Sequence, residues 1–221
     1  MEYHGHGKDE VHTGETRFTV IKVFIIGGMG AGKSAARKAL LDEGAACVDL
    51  DELGHEVLCW QTVKDDLANA FGNDVFDEDG NVDRKALALR AFANSTQTRL
   101  LNRITMPRIE DLLMQRLREL EAQGCTAVVV EFSVFKGRAT SLASIADIIV
   151  AITAPEEVRI QRAVEAGWDE QDVRRRIAQQ ITDAERIQAA DVVFENTGSK
   201  EELYNQVKAW WRTIRKPSCK Q

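Results

Sequence analysis

The octet GGMGAGKS, Gly27 to Ser34, follows directly on the apolar run TVIKVFII (Thr19 to Ile26) and leads into a stretch with helical spacing. It fits the pattern G-x-x-x-x-G-K-[ST], and its placement between a buried strand and a helix leaves few folds open. A nearly continuous run of β-branched and aromatic residues predicts a central parallel strand covered on both faces. The glycines, Gly28 among them, let the following backbone curl so that successive N–H groups point inward. The helix behind adds the positive end of its dipole. This is a cradle for the phosphates of ATP or GTP, in which Lys33 reaches the β and γ phosphates and the Ser34 hydroxyl is a magnesium ligand.

The remaining pattern alternates around this motif. Helical spacing from Ser34 to Glu43 ends at Gly44, a short strand follows from Ala45 to Val48, and Glu52 to Gln123 reads as helical, broken by the turn-rich stretch Gly72 to Asp83 and by Pro107. Strands are then expected at Ala127–Phe132, Ala146–Ile152 and Val192–Phe194. A helix opens near Pro155, a charged helical segment runs to Ala190, and a last helix starts at Ser199. Strands separated by helices imply a parallel sheet. The expected fold is α/β, a three-layer P-loop NTPase with a five-stranded, mostly parallel sheet and a helical insert over about 52–123. Residues 1–18 read as a disordered tail, 19–214 as the folded domain, and 215–221 as a flexible end.

Acids are expected where open α/β sheets bind their substrates, beyond the carboxyl ends of the strands. Asp49 and Asp51 stand after the second strand, two residues apart. One is placed to take a proton from an attacking hydroxyl and the other to hold magnesium or water, although an aspartate here also serves as a helix N-cap. Glu131 ends the next strand and is a second candidate for the metal, or a solvated strand terminus. His55, one turn after Asp51, reads as a surface histidine. Of Trp210 and Trp211, one ring is expected against the sheet and the other half exposed.

Composition narrows the partners. A net charge of −6 argues against a protein that binds nucleic acid through a broad basic face. No apolar run approaches the roughly 18 residues needed to span a bilayer, and the first residues lack the apolar core of a secretory signal. Four cysteines without a Cys-x-x-Cys pair signal neither zinc nor a disulfide framework, and suit reduced thiols in a cytoplasm. Nothing in the sequence fixes an oligomeric state.

GGMGAGKS, CVDLDELGHEVL, FGNDVFDEDGNVDRKAL and DVVFENTGSKEEL together resemble the dephospho-coenzyme A kinases in order and spacing, from about Val20 to Trp211. The resemblance implies a kinase that moves the γ-phosphoryl of ATP to the ribose 3′-hydroxyl of dephospho-coenzyme A. It also implies an acceptor site in the insert and a mobile lid around 167–180. On this mapping Asp51 matches the catalytic acid, Gly30, Ala31, Gly32, Lys33, Ser34 and Ala35 match the ATP-binding segment, and Asn196 with Gly198 matches a loop near the adenine. Arg162, Arg176 and Gln180 match lid positions. The chain departs from the family at Met106, where a histidine is usual before Pro107, at Glu131 to Gly137, and at Ala166, which stands in place of an arginine. Arg159, Arg174 and Arg175, on adjacent turns, are candidates to replace it or simply a solvated charged face. These departures leave open a different nucleoside or nucleotide acceptor, or an ATP-binding regulatory relative.

Overall fold

A computed structural model describes residues 20–214; the two expected tails lie outside the described residues. In chain order the elements are β1 (Ile21–Gly27), α1 (Lys33–Asp42), β2 (Ala46–Asp49), α2 (Leu50–Val57), α3 (Gln61–Phe71), α4 (Arg84–Ala91), α5 (Ser95–Ala122) and β3 (Ala127–Glu131). Then come α6 (Ser141–Ser144), β4 (Ile148–Thr153), α7 (Glu156–Glu165), α8 (Glu170–Ala178), α9 (Asp183–Ala189), β5 (Val192–Glu195) and α10 (Lys200–Ile214). The five strands form one sheet in the order β2-β3-β1-β4-β5. Every pairing is parallel, where the sequence left room for an antiparallel edge.

The period-two geometry of a strand divides the core into two layers. Val23 and Ile25 of β1, Ala127 and Val129 of β3, and Val150 and Ile152 of β4 face Leu40 of α1 and Leu203, Val207 and Trp211 of α10. The alternate residues Phe24, Ile26, Val128, Val130, Ile149 and Ala151 face Leu53 and Val57 of α2, Leu113 and Leu117 of α5 and Ala189 of α9. Helices therefore cover both faces, which is why these strands read as unbroken apolar runs. Trp211 is fully buried in the first layer, while half-buried Trp210 meets Phe194 edge-on at 5.7 Å.

Two expectations fail for identifiable reasons. Pro107 does not break the insert: α5 runs through it for 28 residues. Burial on both sides of the proline outweighs the missing N–H, with Ile104 in the small core shared by α3 and α4, and Ile109, Leu112, Leu113 and Leu117 under the sheet. The Arg108 guanidinium also donates to the Ile104 carbonyl at 3.0 Å. The helix expected near Pro155 is α7, but the charged segment expected from there to Ala190 is two helices, α8 and α9, rather than one. Gly167 at φ +93 turns the chain after α7, and Asp169 caps α8. Thr182 and Glu185 form a capping box that opens α9.

Because Trp211 fills the middle of one layer, Trp211→Ala should destabilise the fold by about 3–5 kcal/mol and Trp210→Ala by clearly less. Urea denaturation of the two variants checks the ranking.

Candidate active site

The phosphate loop bridges the carboxyl end of β1 to the first turn of α1. Gly30 and Gly32 adopt φ of +74 and +110, which other residues rarely hold. A Cβ on Gly30 would run into the backbone carbonyl of Arg159 on α7, and one on Gly32 would meet the Asn196 carboxamide. Glycine is thus required here by conformation and by space together. Asn196, buried just past β5, donates from Nδ2 to the Ala31 carbonyl at 2.8 Å and so ties the far edge of the sheet to the loop. The Lys33 ammonium folds back to the Gly27 carbonyl at 3.1 Å.

The strand register gathers the acids. Asp49 pairs with Glu131 across β2 and β3, and Arg37 of α1 reaches both carboxylates, at 3.6 Å and 3.0 Å. Asp49 also accepts from the Asp51 N–H at 2.8 Å, so it does cap α2. Asp51 projects clear of this network, is exposed, and lines a cavity of about 730 Å³ between the insert and the loop after β3. Leu58, Leu87, Phe92 and Met106 make that cavity largely apolar, with His55, Arg84 and Lys136 also on its wall. Met106 and Lys136, two of the departures noted in the sequence, therefore both belong to the cavity surface.

A second cavity, of about 630 Å³, is lined by the loop itself. Gly30, Gly32, Lys33, Ser34 and Ala35 form its floor, and Arg162, Ala166, Trp168, Asn196 and Lys200 form its walls. Arg162 donates to the carbonyls of Asn196 and Gly198, at 3.1 Å and 2.8 Å, and closes one wall. Arg176 lies over the Trp168 ring, 5.0 Å from its centroid. Gln180, expected with the lid, touches the loop itself: its Oε1 accepts from the Met29 N–H at 3.0 Å. Asp51 thus lines one cavity and Ser34 the other.

Electrostatics set the charge states. Burial pushes Lys33 below the ordinary lysine value, opposed by Glu131, Asp51 and Asp49 and reinforced by Arg186 of α9. Burial likewise holds Glu131 above the ordinary carboxylate value, against the pull of Lys33 and Arg37. Among the described residues no group of three or more His, Cys, Asp or Glu is placed to hold a metal ion. Magnesium does not need one, since it keeps water and phosphate ligands and takes only one or two from protein. The exposed Ser34 hydroxyl, next to a Lys33 on which Glu131, Asp51 and Asp49 act, fits that modest requirement. Arg159 and Arg186, both buried beside the loop, were not legible as a pair from sequence.

The dephospho-CoA kinase family model matches residues 21–202. The chain belongs to the dephospho-CoA kinase family. The dephospho-CoA kinase of Corynebacterium glutamicum is 38% identical over 189 residues, covering 84% of this chain and 92% of that protein. The one from Streptomyces avermitilis is 36% identical, covering 88% and 94%. Among solved structures, a Thermus thermophilus protein superposes with a TM-score of 0.75 at 27% identity, covering 89% of this chain and 99% of that one. The dephospho-CoA kinase of Campylobacter jejuni superposes with a TM-score of 0.65 at 18% identity, which shows the shared fold.

A carboxyl whose folded pKa is raised favours the folded state while protonated, and that contribution is lost as pH rises from the ordinary glutamate value through the raised one. Ionised Glu131 is therefore a cost to the unliganded protein near neutrality. Glu131→Gln should raise its thermal midpoint there and flatten the dependence of that midpoint on pH across the acidic range, as read by calorimetry from pH 4 to 8.

Proposed function

We propose that this protein transfers the γ-phosphoryl of ATP to the ribose 3′-hydroxyl of dephospho-coenzyme A, giving coenzyme A and ADP. The observation that carries the reading is the position of Asp51, on the acceptor-sized cavity yet close enough for its charge to act on Lys33 at the phosphate loop. Family membership supports the choice of acceptor, and nothing in the comparisons favours a different one.

ATP occupies the cavity floored by Gly30 to Ala35, its phosphates held by the loop amides and Lys33, with the base between Arg162, Trp168 and Asn196. Dephospho-coenzyme A enters the larger cavity, whose apolar walls suit its pantetheine arm and adenine ring. The Asp51 carboxylate accepts the proton of the attacking hydroxyl, and Asp49 and Arg37 hold the start of α2 so that Asp51 stays aimed. Ser34, with Glu131 or Asp49 nearby, would hold magnesium, which would neutralise phosphate charge when bound. Phosphoryl transfer asks little covalent chemistry of a protein, so positioning and charge account for the rate. The helices after residue 52 form the acceptor lobe, and the segment around 167–180 is the lid. The reaction suits a soluble enzyme of the cytoplasm; among the described residues no helix is long and apolar enough to cross a membrane.

Purified protein with ATP, magnesium and dephospho-coenzyme A should form coenzyme A, identified by mass. ADP release indifferent to the acceptor would contradict the assignment. Asp51→Asn should lower kcat by about 10²-fold or more with ATP affinity nearly unchanged. Undiminished turnover would remove Asp51 from the chemistry. Because Lys33 must be charged to hold phosphate and its pKa is depressed, ATP affinity should begin to fall, as pH rises, before an ordinary lysine would titrate. Titrating ATP at stepped alkaline pH reads this directly.

A further inference from the structure

Of the three arginines placed by sequence near the altered lid position, two are already committed. Arg174 is exposed and paired with Glu157 and Glu170, and Arg175 is exposed and paired with Asp172. Arg159 differs in every respect. It projects from the buried side of α7 with a side chain only 7% exposed, and its Nε donates to the Ala154 carbonyl at 3.0 Å. Its Nη1 is buried and has no hydrogen-bond partner. That nitrogen lies hard against Gly28, where even a Cβ would overlap it.

Arg186 arrives at the same glycine from α9. Its side chain is 3% exposed, its Nη1 donates to Asp183 at 2.5 Å, and the same nitrogen lies 3.4 Å from where a Gly28 Cβ would be. The Asp183 carboxylate lies beside both guanidiniums, 3.9 Å from the Arg159 Nε. The two arginines repel each other, and Arg186 also repels Lys33. Two buried guanidiniums thus converge on Gly28 with Asp183 shared between them and the Arg159 Nη1 left without a hydrogen-bond partner. Burying a cation without full compensation is costly, so such a cluster implies an anionic ligand.

The Lys33 ammonium, which reaches the β and γ phosphates in a loop of this type, ends at the Gly27 carbonyl, so the terminal phosphoryl lies at this end of the loop. We infer that Arg159, supported by Arg186, binds the terminal phosphoryl of the nucleotide through its free Nη1 and neutralises the charge that develops on transfer. This explains how the chain functions with alanine at position 166. It makes Gly28 a specificity element as well, because any side chain there would displace the guanidinium.

The inference rests on ATP being the donor, so ATP and ADP affinities of the unsubstituted protein are measured first by calorimetric titration with magnesium. No ATP binding would sink the parent reading. With binding in hand, Arg159→Gln should weaken ATP by about tenfold more than ADP and lower kcat by about 10³-fold, while Arg159→Lys recovers part of both. An unchanged ratio of ATP to ADP affinity, or equal weakening of the two, overturns the inference and leaves Arg159 as a brace for the loop. If neither variant folds, the arginine side-chain spectrum of ¹⁵N-labelled unsubstituted protein decides. A buried guanidinium resonance should shift with a non-hydrolysable ATP analogue and not with ADP, and identical responses to both overturn the inference.

Discussion

The register that pairs Ile25 with Glu131 on one side of β1 and Gly27 with Ile152 on the other brings the carboxyl ends of four strands level at one edge of the sheet. Both faces of β1 are sealed, so the strand cannot slip without turning a full row of apolar side chains toward the wrong layer. Everything chemical hangs from that edge. The loop leaves β1 there, Asp49 and Glu131 meet there across β2 and β3, and Asn196 reaches back from the end of β5 to hold the loop.

This dependence explains what the sequence made legible. Strand β1, the loop and α1 carry their own signals: apolar continuity, glycines at positive φ, and the Lys-Ser pair at a helix start. Asp51 could be singled out because its spacing from the strand end is local. Arg159 and Arg186 could not be assigned in the same way. Each is a charged residue in a charged helix, and only the packing of α7 and α9 on either side of Gly28 reveals that both turn inward. The capping box Thr182–Glu185 was visible in principle, since the Thr-x-x-Glu spacing is a start signal within what had read as one segment. Pro107 misled for the opposite reason, because a local helix breaker was overruled by burial in two separate cores.

The site is also electrostatically divided. On the β2–β3 side, Arg37 holds two carboxylates that would otherwise repel each other beside Asp51. On the α7–α9 side, Asp183 is shared between two guanidiniums. Lys33 lies between an acid-rich and a base-rich flank. Such a gradient suits the proposed phosphoryl transfer, in which the basic flank would hold the donor's terminal phosphoryl and the acidic flank would draw the proton from the acceptor.

The unbroken course of α5 through Pro107 has a mechanical consequence. Its first half belongs to the core of the insert and its second half to the core under the sheet, so the helix couples the two bodies like a beam across a joint. The proline removes one backbone bond from the ladder just where the beam passes from one body to the other, beside Met106 in the cavity wall. Bending there costs the helix less than bending anywhere else along it. If the acceptor occupies this cavity as proposed, it meets an elbow in the cavity wall, and the stiffness of that elbow sets how closely the two halves of the cavity can approach.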